Sequence, residues 1–120
     1  MNMKAKFFGN RANQLHKGVL ELCILNDIRN RKMYGYEIVR KLGRVEGMII
    51  NKGVIYPILR RLKRSGLVET FMQDSHEGPT RKYYKLTEKG RDMVGQMNAY
   101  WDAIKNQTGS IEKGQKRRRT

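Results

Sequence analysis

The residues best spaced for chemistry lie between Asn51 and Gly66. Turned by about 100° per residue, Lys52, Tyr56, Arg60, Lys63 and Arg64 fall on one arc of a helix, and Val54, Ile55, Ile58, Leu59 and Leu62 fall on the other. The chemistry this offers is electrostatic. Lysine and arginine heads on one side of a rod neutralise phosphates and release their counterions, and a tyrosine among them can stack on the sugar-phosphate or shield the core. Catalysis has no comparable support, because the chain carries no Gly-rich phosphate loop, no nucleophile elbow and no convergent carboxylates and histidines. His16 and His76 are far apart and Cys23 is the only cysteine, so neither a metal nor a cofactor is expected.

The ends of that helix are marked. Asn51 is a suitable N-cap, Ile50 before it can staple onto Ile55, and Gly66 can take the left-handed conformation that stops a helix, with Leu67 folding back. Pro57 predicts a kink or an incompletely helical first turn, since it cannot donate to the carbonyl of Gly53. A rod of about 14 residues spans roughly 20 Å, enough to lie in a DNA major groove. Basic amphipathic helices are nevertheless common on proteins that bind no nucleic acid, so its neighbours must decide.

The charge balance favours a polyanion. Lys and Arg number 26 against 11 Asp and Glu in 120 residues, a formal charge of +15, more than solubility needs. Nucleic acid is the leading partner and an anionic membrane surface the second. No apolar run approaches the ~20 residues of a spanning helix, and the cations are spread along the chain, so no membrane partner is expected. The early lysines are followed by no apolar signal region, which places the protein in the cytoplasm, in keeping with one buried, unpaired cysteine.

The remaining elements surround the cationic helix. Residues 1–13 read as a flexible basic arm, and Leu15 to Arg29 as the first helix. Between Val19 and Ile28 its apolar residues cover nearly the whole circumference, so some of them must meet another subunit. Asn30 to Met33 is a polar link, and Tyr36 to about Val45 is a short helix with Ile38, Val39, Leu42 and Val45 inward. Two short helices, the second cationic outside, form a helix-turn-helix. Leu67 to Met72 and Thr80 to Leu86 read as strands of a hairpin around a Gln73–Pro79 loop, a wing carrying Arg81 and Lys82. Thr87 caps a last helix, Glu88 to Thr108, whose Met93, Val94, Met97, Tyr100, Trp101 and Ile104 recur near the spacing of a helix seam. Residues 109–120 read as a disordered basic tail.

The fold class is therefore mainly α with a small β-hairpin (α+β): a winged helix-turn-helix over 14–86 and a dimerisation helix over 87–108. The expected dimer surface is Leu15, Val19, Leu22, Met93, Met97, Tyr100, Trp101 and Ile104.

Four motifs in order carry a resemblance: Tyr34-Gly35-Tyr36-Glu37-Ile38, Gly53-Val54-Ile55-Tyr56-Pro57 through Leu62, Ser65-Gly66-Leu67-Val68-Glu69, and Gly78-Pro79-Thr80-Arg81-Lys82-Tyr83-Tyr84 through Gly90. Together they resemble the PadR family of transcriptional regulators, over about Leu15 to Ile104. The resemblance implies a homodimer whose last helix pairs with the first, bound to a pseudo-palindromic operator in double-stranded DNA and usually repressing. It implies groove-reading roles for Lys52, Tyr56, Arg60 and Lys63, with Arg81 and Lys82 at the wing; Asn51 and Arg64, at the two ends of the same helix, are the further DNA-binding candidates. Tyr100 and Trp101 are similar in place to the aromatic residues with which multidrug-sensing members hold flat aromatic effectors; interface packing is the alternative role for the pair. Asn51-Lys52 stands where the family more often has Ser-Pro. The competing function is a non-specific architectural DNA- or RNA-binding protein.

Overall fold

The computed structural model describes residues 3–44, 51–75 and 78–119, with side chains described for 15, 17–44, 51–75 and 78–107. In chain order the elements are α1 (Met3–Asn30), β1 (Met33–Tyr34), α2 (Gly35–Leu42), α3 (Lys52–Arg64), β2 (Val68–Ser75), β3 (Gly78–Leu86) and α4 (Glu88–Arg119). Four helices pack with a three-stranded antiparallel sheet of order β1-β3-β2.

The core forms where the apolar arcs converge. Leu20, Ile24, Leu25 and Ile28 of α1, Ile38 and Leu42 of α2, and Ile55, Ile58, Leu59 and Leu62 of α3 are buried together with Met33, Leu67, Val68, Tyr84, Leu86 and Val94. This is the inward half of each pattern in the sequence, and removing it from water drives the helices together.

Helix α3 runs from Lys52 to Arg64 through Pro57, which has no N–H to donate to the Gly53 carbonyl. Asn51 occupies the N-cap in an extended conformation, φ −139° and ψ −179°, but its side chain makes no capping bond. Its backbone carbonyl instead accepts from the amides of Val54 and Ile55, both at 3.1 Å. The staple partner Ile50 lies outside the described residues. The C-terminus follows expectation: Gly66 has φ +77°, Leu67 N–H donates to the Leu62 carbonyl at 3.0 Å and Gly66 N–H to Lys63 at 3.0 Å. That reverse turn satisfies carbonyls that would otherwise be orphaned.

The same turn anchors α4. Thr87 Oγ1 accepts from Gly90 N–H at 3.0 Å and donates to the Gly66 carbonyl at 2.6 Å, while Lys89 Nζ donates to the Ser65 carbonyl at 3.0 Å. Gly90 lies so near the chain at Leu67 that a Cβ there would sit 2.0 Å from the Leu67 carbonyl oxygen.

Several boundaries differ from those read in the sequence. Helix α1 begins at Met3 rather than Leu15, taking in the stretch expected as a flexible arm. Helix α4 continues to Arg119 through the stretch expected to be disordered. Lys, Gln, Glu and Arg are good helix formers, and extending an existing helix needs no new nucleus. Helix α2 starts at Gly35 and ends at Leu42, and Val45 and the turn to Ile50 lie outside the described residues. The polar link holds a strand, β1, with Met33 opposite Tyr84 and Tyr34 opposite Tyr83. The wing strands also reach further than expected, to Ser75 and from Gly78, with an irregularity between Gln73 and Ser75. Thr80 Oγ1 donates to Asp74 Oδ1 at 2.6 Å near that end.

Candidate nucleic-acid interface

Burial of Ile55, Ile58, Leu59 and Leu62 fixes the rotation of α3 and turns Lys52, Arg60, Lys63 and Arg64 into solvent. None of these four has a carboxylate partner among the described residues. Their neighbour Arg61, on the flank, meets Glu21 at 3.6 Å, and the other described pairs, Arg31–Glu37, Lys41–Asp27, Lys85–Glu69 and Lys105–Asp102, all lie off α3. The face therefore carries uncompensated positive charge. Its cations sit in water at little cost until a polyanion replaces their counterions.

Tyr56 behaves differently from the cations beside it. It is half-buried, with its ring over Gly35, where a Cβ would meet Tyr56 Cε1 at 2.7 Å and the hydroxyl at 2.8 Å. A tyrosine at the edge of both arcs found a slot on α2 that only glycine leaves open, so its ring fixes the α2–α3 angle. Tyr84, buried behind it, has its phenol pushed above the ordinary range by burial and by nearby Tyr56, with Arg60 pulling it down. Asn51 is exposed at the entrance of the helix.

Arg81 and Lys82, paired in the sequence reading, fall on opposite faces of the hairpin because side chains alternate along a strand. Lys82 is exposed, opposite Met72. Arg81 lies on the outer face, half-buried, its guanidinium carbon 4.3 Å from the Tyr34 ring centroid. On that face Tyr34, Tyr83 and Phe71 occupy one row across the three strands. Tyr83 stacks on Phe71 and meets Tyr34 edge-on, each with centroids 5.7 Å apart. Lys32 reaches over both Phe71 and Tyr83, at 5.5 and 5.4 Å, and donates to Gln73 Oε1 at 2.6 Å. Sequence reasoning missed this cluster because Tyr34 belongs to a strand too short to show a period and Lys32 lies just before it. Tyr36, on the first turn of α2, was also passed over. It is half exposed, with Lys52 Nζ 5.7 Å and the Arg40 guanidinium carbon 5.9 Å from its ring centre.

A second surface of the molecule, between α1 and α4, is apolar. Leu15, Val19 and Leu22 of α1 and Met97, Tyr100, Trp101 and Ile104 of α4 line a groove of about 530 Å³, with Cys23 also in its wall. Asn26 and Asn98 bridge the two helices there, each amide donating to the other's carbonyl at 3.0 and 2.9 Å. Burial, with Asp27 nearby, raises the Cys23 thiol above its ordinary range. Met93 packs against the core and does not line the groove. Among the described residues no three His, Cys, Asp or Glu side chains are placed to hold a metal ion, and no helix is long and apolar enough to cross a membrane.

A winged helix-turn-helix with a cationic second helix is the architecture of many DNA-binding proteins, and comparison with known proteins narrows it. The profile of the transcriptional regulator PadR-like family matches residues 24–96. The chain belongs to the PadR-like family of transcriptional regulators.

Solved members agree in fold. A PadR-like transcriptional regulator from Bacillus cereus is 36% identical, with 82% of this chain and 95% of that one covered at a TM-score of 0.76. A PadR-like transcription factor from Bacteroides fragilis is also 36% identical, over 85% of this chain and 98% of that one, at a TM-score of 0.71. An uncharacterised protein of Lysinibacillus sphaericus is 28% identical over 91 residues, 74% of this chain and 84% of its own length. The PadR-like assignment makes this a DNA-binding regulator and not an enzyme. The matched residues contain α2, α3 and the wing in full, and stop before Met97, Tyr100, Trp101 and Ile104.

Proposed function

We propose that this PadR-like protein acts in the cytoplasm as a homodimeric, sequence-specific repressor that lays α3 of each subunit into successive major grooves of a pseudo-palindromic operator. The observation that carries the reading is the exposed row Lys52, Arg60, Lys63 and Arg64, without a carboxylate among the described residues to neutralise it. Lys82 and Arg81 add charge at the wing. Half-sites would lie about one helical turn, ~34 Å, apart. Footprinting at about 150 mM salt on a fragment carrying the protein's own promoter tests this. A bounded palindromic footprint, lost in the Arg60→Glu, Lys63→Glu variant, is the expected result. Uniform coating of every fragment, or a discrimination against bulk DNA below about 10³, would give the function to a non-specific architectural protein instead.

The apolar groove supports the dimer. Leu15 and Tyr100 are 68% and 70% exposed in one chain, and a second copy covering α1 and α4 would remove them from water. The groove also favours an effector. Its volume lies in the roughly 300–1,000 Å³ range of small-molecule sites, and an aromatic pair lines it. A flat aromatic compound held against Trp101 and Tyr100 would shift the spacing of the two α3 helices and weaken operator binding by a coupling of about 1–3 kcal/mol. Trp101 is the only tryptophan, so titrating planar dyes while following its fluorescence tests the idea; unchanged emission from an intact dimer would reject it.

A further inference from the structure

Six large apolar or aromatic side chains are exposed among the described residues. Leu15, Tyr100, Trp101 and Ile104 line the α1–α4 groove, and Met72 is on the wing. Tyr36 alone stands on the helix-turn-helix, 50% exposed and outside that groove's lining. Its surroundings are those of an anion site. Two cations from different helices, Lys52 Nζ and the Arg40 guanidinium, converge on its ring, and neither has a carboxylate partner among the described residues. Each cation gains from the negative face of the ring, yet gathering two like charges beside one phenol opposes that gain. A negatively charged group within reach of both relieves the repulsion.

The convergence is held in place. Gly35, immediately before Tyr36, is pinned under the Tyr56 ring, so the first turn of α2 cannot swing away from the start of α3. Tyr36 consequently emerges beside Lys52, at the leading end of the cationic row, and Arg40 follows it one helical turn along α2. Two cationic donors, a planar guanidinium able to grip two oxygens and an ammonium, then lie within 6 Å of the centre of a ring that carries a third, its phenolic hydroxyl.

We propose that Tyr36, Arg40 and Lys52 form a phosphate-binding site for the DNA backbone at the edge of the groove that α3 enters, with the Tyr36 hydroxyl donating to a phosphate oxygen. The site rests on the duplex-binding reading given above. It orients the helix-turn-helix on the duplex and carries no sequence information, because every phosphate offers the same oxygens.

The test measures affinity of the full chain for a duplex selected from a random library and for an unrelated duplex of equal length, over a range of salt. The variants are Tyr36→Phe, Tyr36→Ala, Arg40→Gln and, as reference, Arg60→Gln, with circular dichroism confirming that each folds. Tyr36→Phe keeps the ring and removes the hydroxyl, and is expected to weaken both duplexes about 10-fold, as for a hydrogen bond to a charged group. Arg40→Gln is expected to weaken both and to reduce the dependence of log affinity on log salt by about one. Wild-type binding in all the Tyr36 and Arg40 variants while Arg60→Gln binds weakly would overturn the site and leave the reading helix standing. A loss confined to the selected duplex would also overturn it, since that is base reading. Unchanged binding in every variant, Arg60→Gln included, would remove both the site and the reading beneath it.

Discussion

The α3 face and the α1–α4 groove are both open surfaces of the single chain, but they are open for different reasons. The α3 face is finished: its apolar half is in the core, its ends are closed by the Gly66 turn, and what remains outside is Lys52, Arg60, Lys63 and Arg64 in water. Solvated cations cost nothing while they wait. The groove is unfinished, with Leu15, Tyr100, Trp101 and Ile104 between 38% and 70% exposed around a polar pair of asparagines. Apolar area left in water forfeits about 25 cal/mol per Å², so this surface calls for a cover in a way the cationic one does not. One side of the molecule stores affinity for a charged partner, and the other stores affinity for an apolar one.

The largest effect is expected where the two sides are joined. Gly90→Ala drives a Cβ onto the Leu67 carbonyl, backbone against backbone, and should cost on the order of 3 kcal/mol or more in urea unfolding, loosening both surfaces together. Gly95→Ala on the same helix meets open space and should gain up to about 1 kcal/mol from helix propensity, which separates the clash from any general intolerance of α4. If the two variants unfold alike, the close approach of Gly90 to Leu67 is not what holds α4 against the turn.

A second prediction acts on the groove alone. Trp101→Ala should raise the dimer dissociation constant about 30-fold, the loss of roughly 2 kcal/mol usual for a central aromatic, when sedimentation is followed against concentration. The circular dichroism spectrum should not change. Equal self-association in wild type and variant would leave the groove without a second copy to cover it.

A smaller effect is expected at the bridge between α1 and α4. Asn26→Leu strands the Asn98 amide and should cost about 1 kcal/mol, whereas Asn26→Leu combined with Asn98→Leu should recover part of that loss, because no amide is then left unpaired. Denaturant midpoints of the three variants decide it.

The smallest effect is confined to alkaline pH. Burial, with Tyr56 beside it, raises the Tyr84 phenol, so the folded state holds its proton where the unfolded chain has released it. Stability from this group is complete below the ordinary tyrosine range, about pH 10, and falls as pH rises from there through the raised value. Tyr84→Phe should flatten that part of the stability profile relative to wild type and leave neutral pH nearly unaffected.

How far these differences were legible depended on pattern length. The arcs of α3 and the apolar spacing along α4 each repeat a chemical type over two or more turns, enough for periodicity to show, and the stop at Gly66 was legible from the residue type alone. Strand β1 has two residues and so no period to read. The outward turn of Arg81 onto Tyr34 and the convergence of Arg40 and Lys52 on Tyr36 join residues distant in the chain, which no local pattern contains. Asn51 shows the converse: its type suits a cap, yet the backbone carbonyl alone closes the turn.

The order of amino acids by itself settled which arc of α3 must leave water, where that helix stops, and that a strongly positive rod lies between a short helix and a hairpin. Those outcomes follow from side-chain chemistry repeated at the period of the backbone. Packing decided the rest. Only with α2 set against α3 by Tyr56 and Gly35, and α4 set against the turn at Leu67 by Gly90, does it become fixed which cations share a surface and which apolar residues are left uncovered. Contacts of that kind depend on distances across the fold, and the chain specifies them only once it has closed on itself.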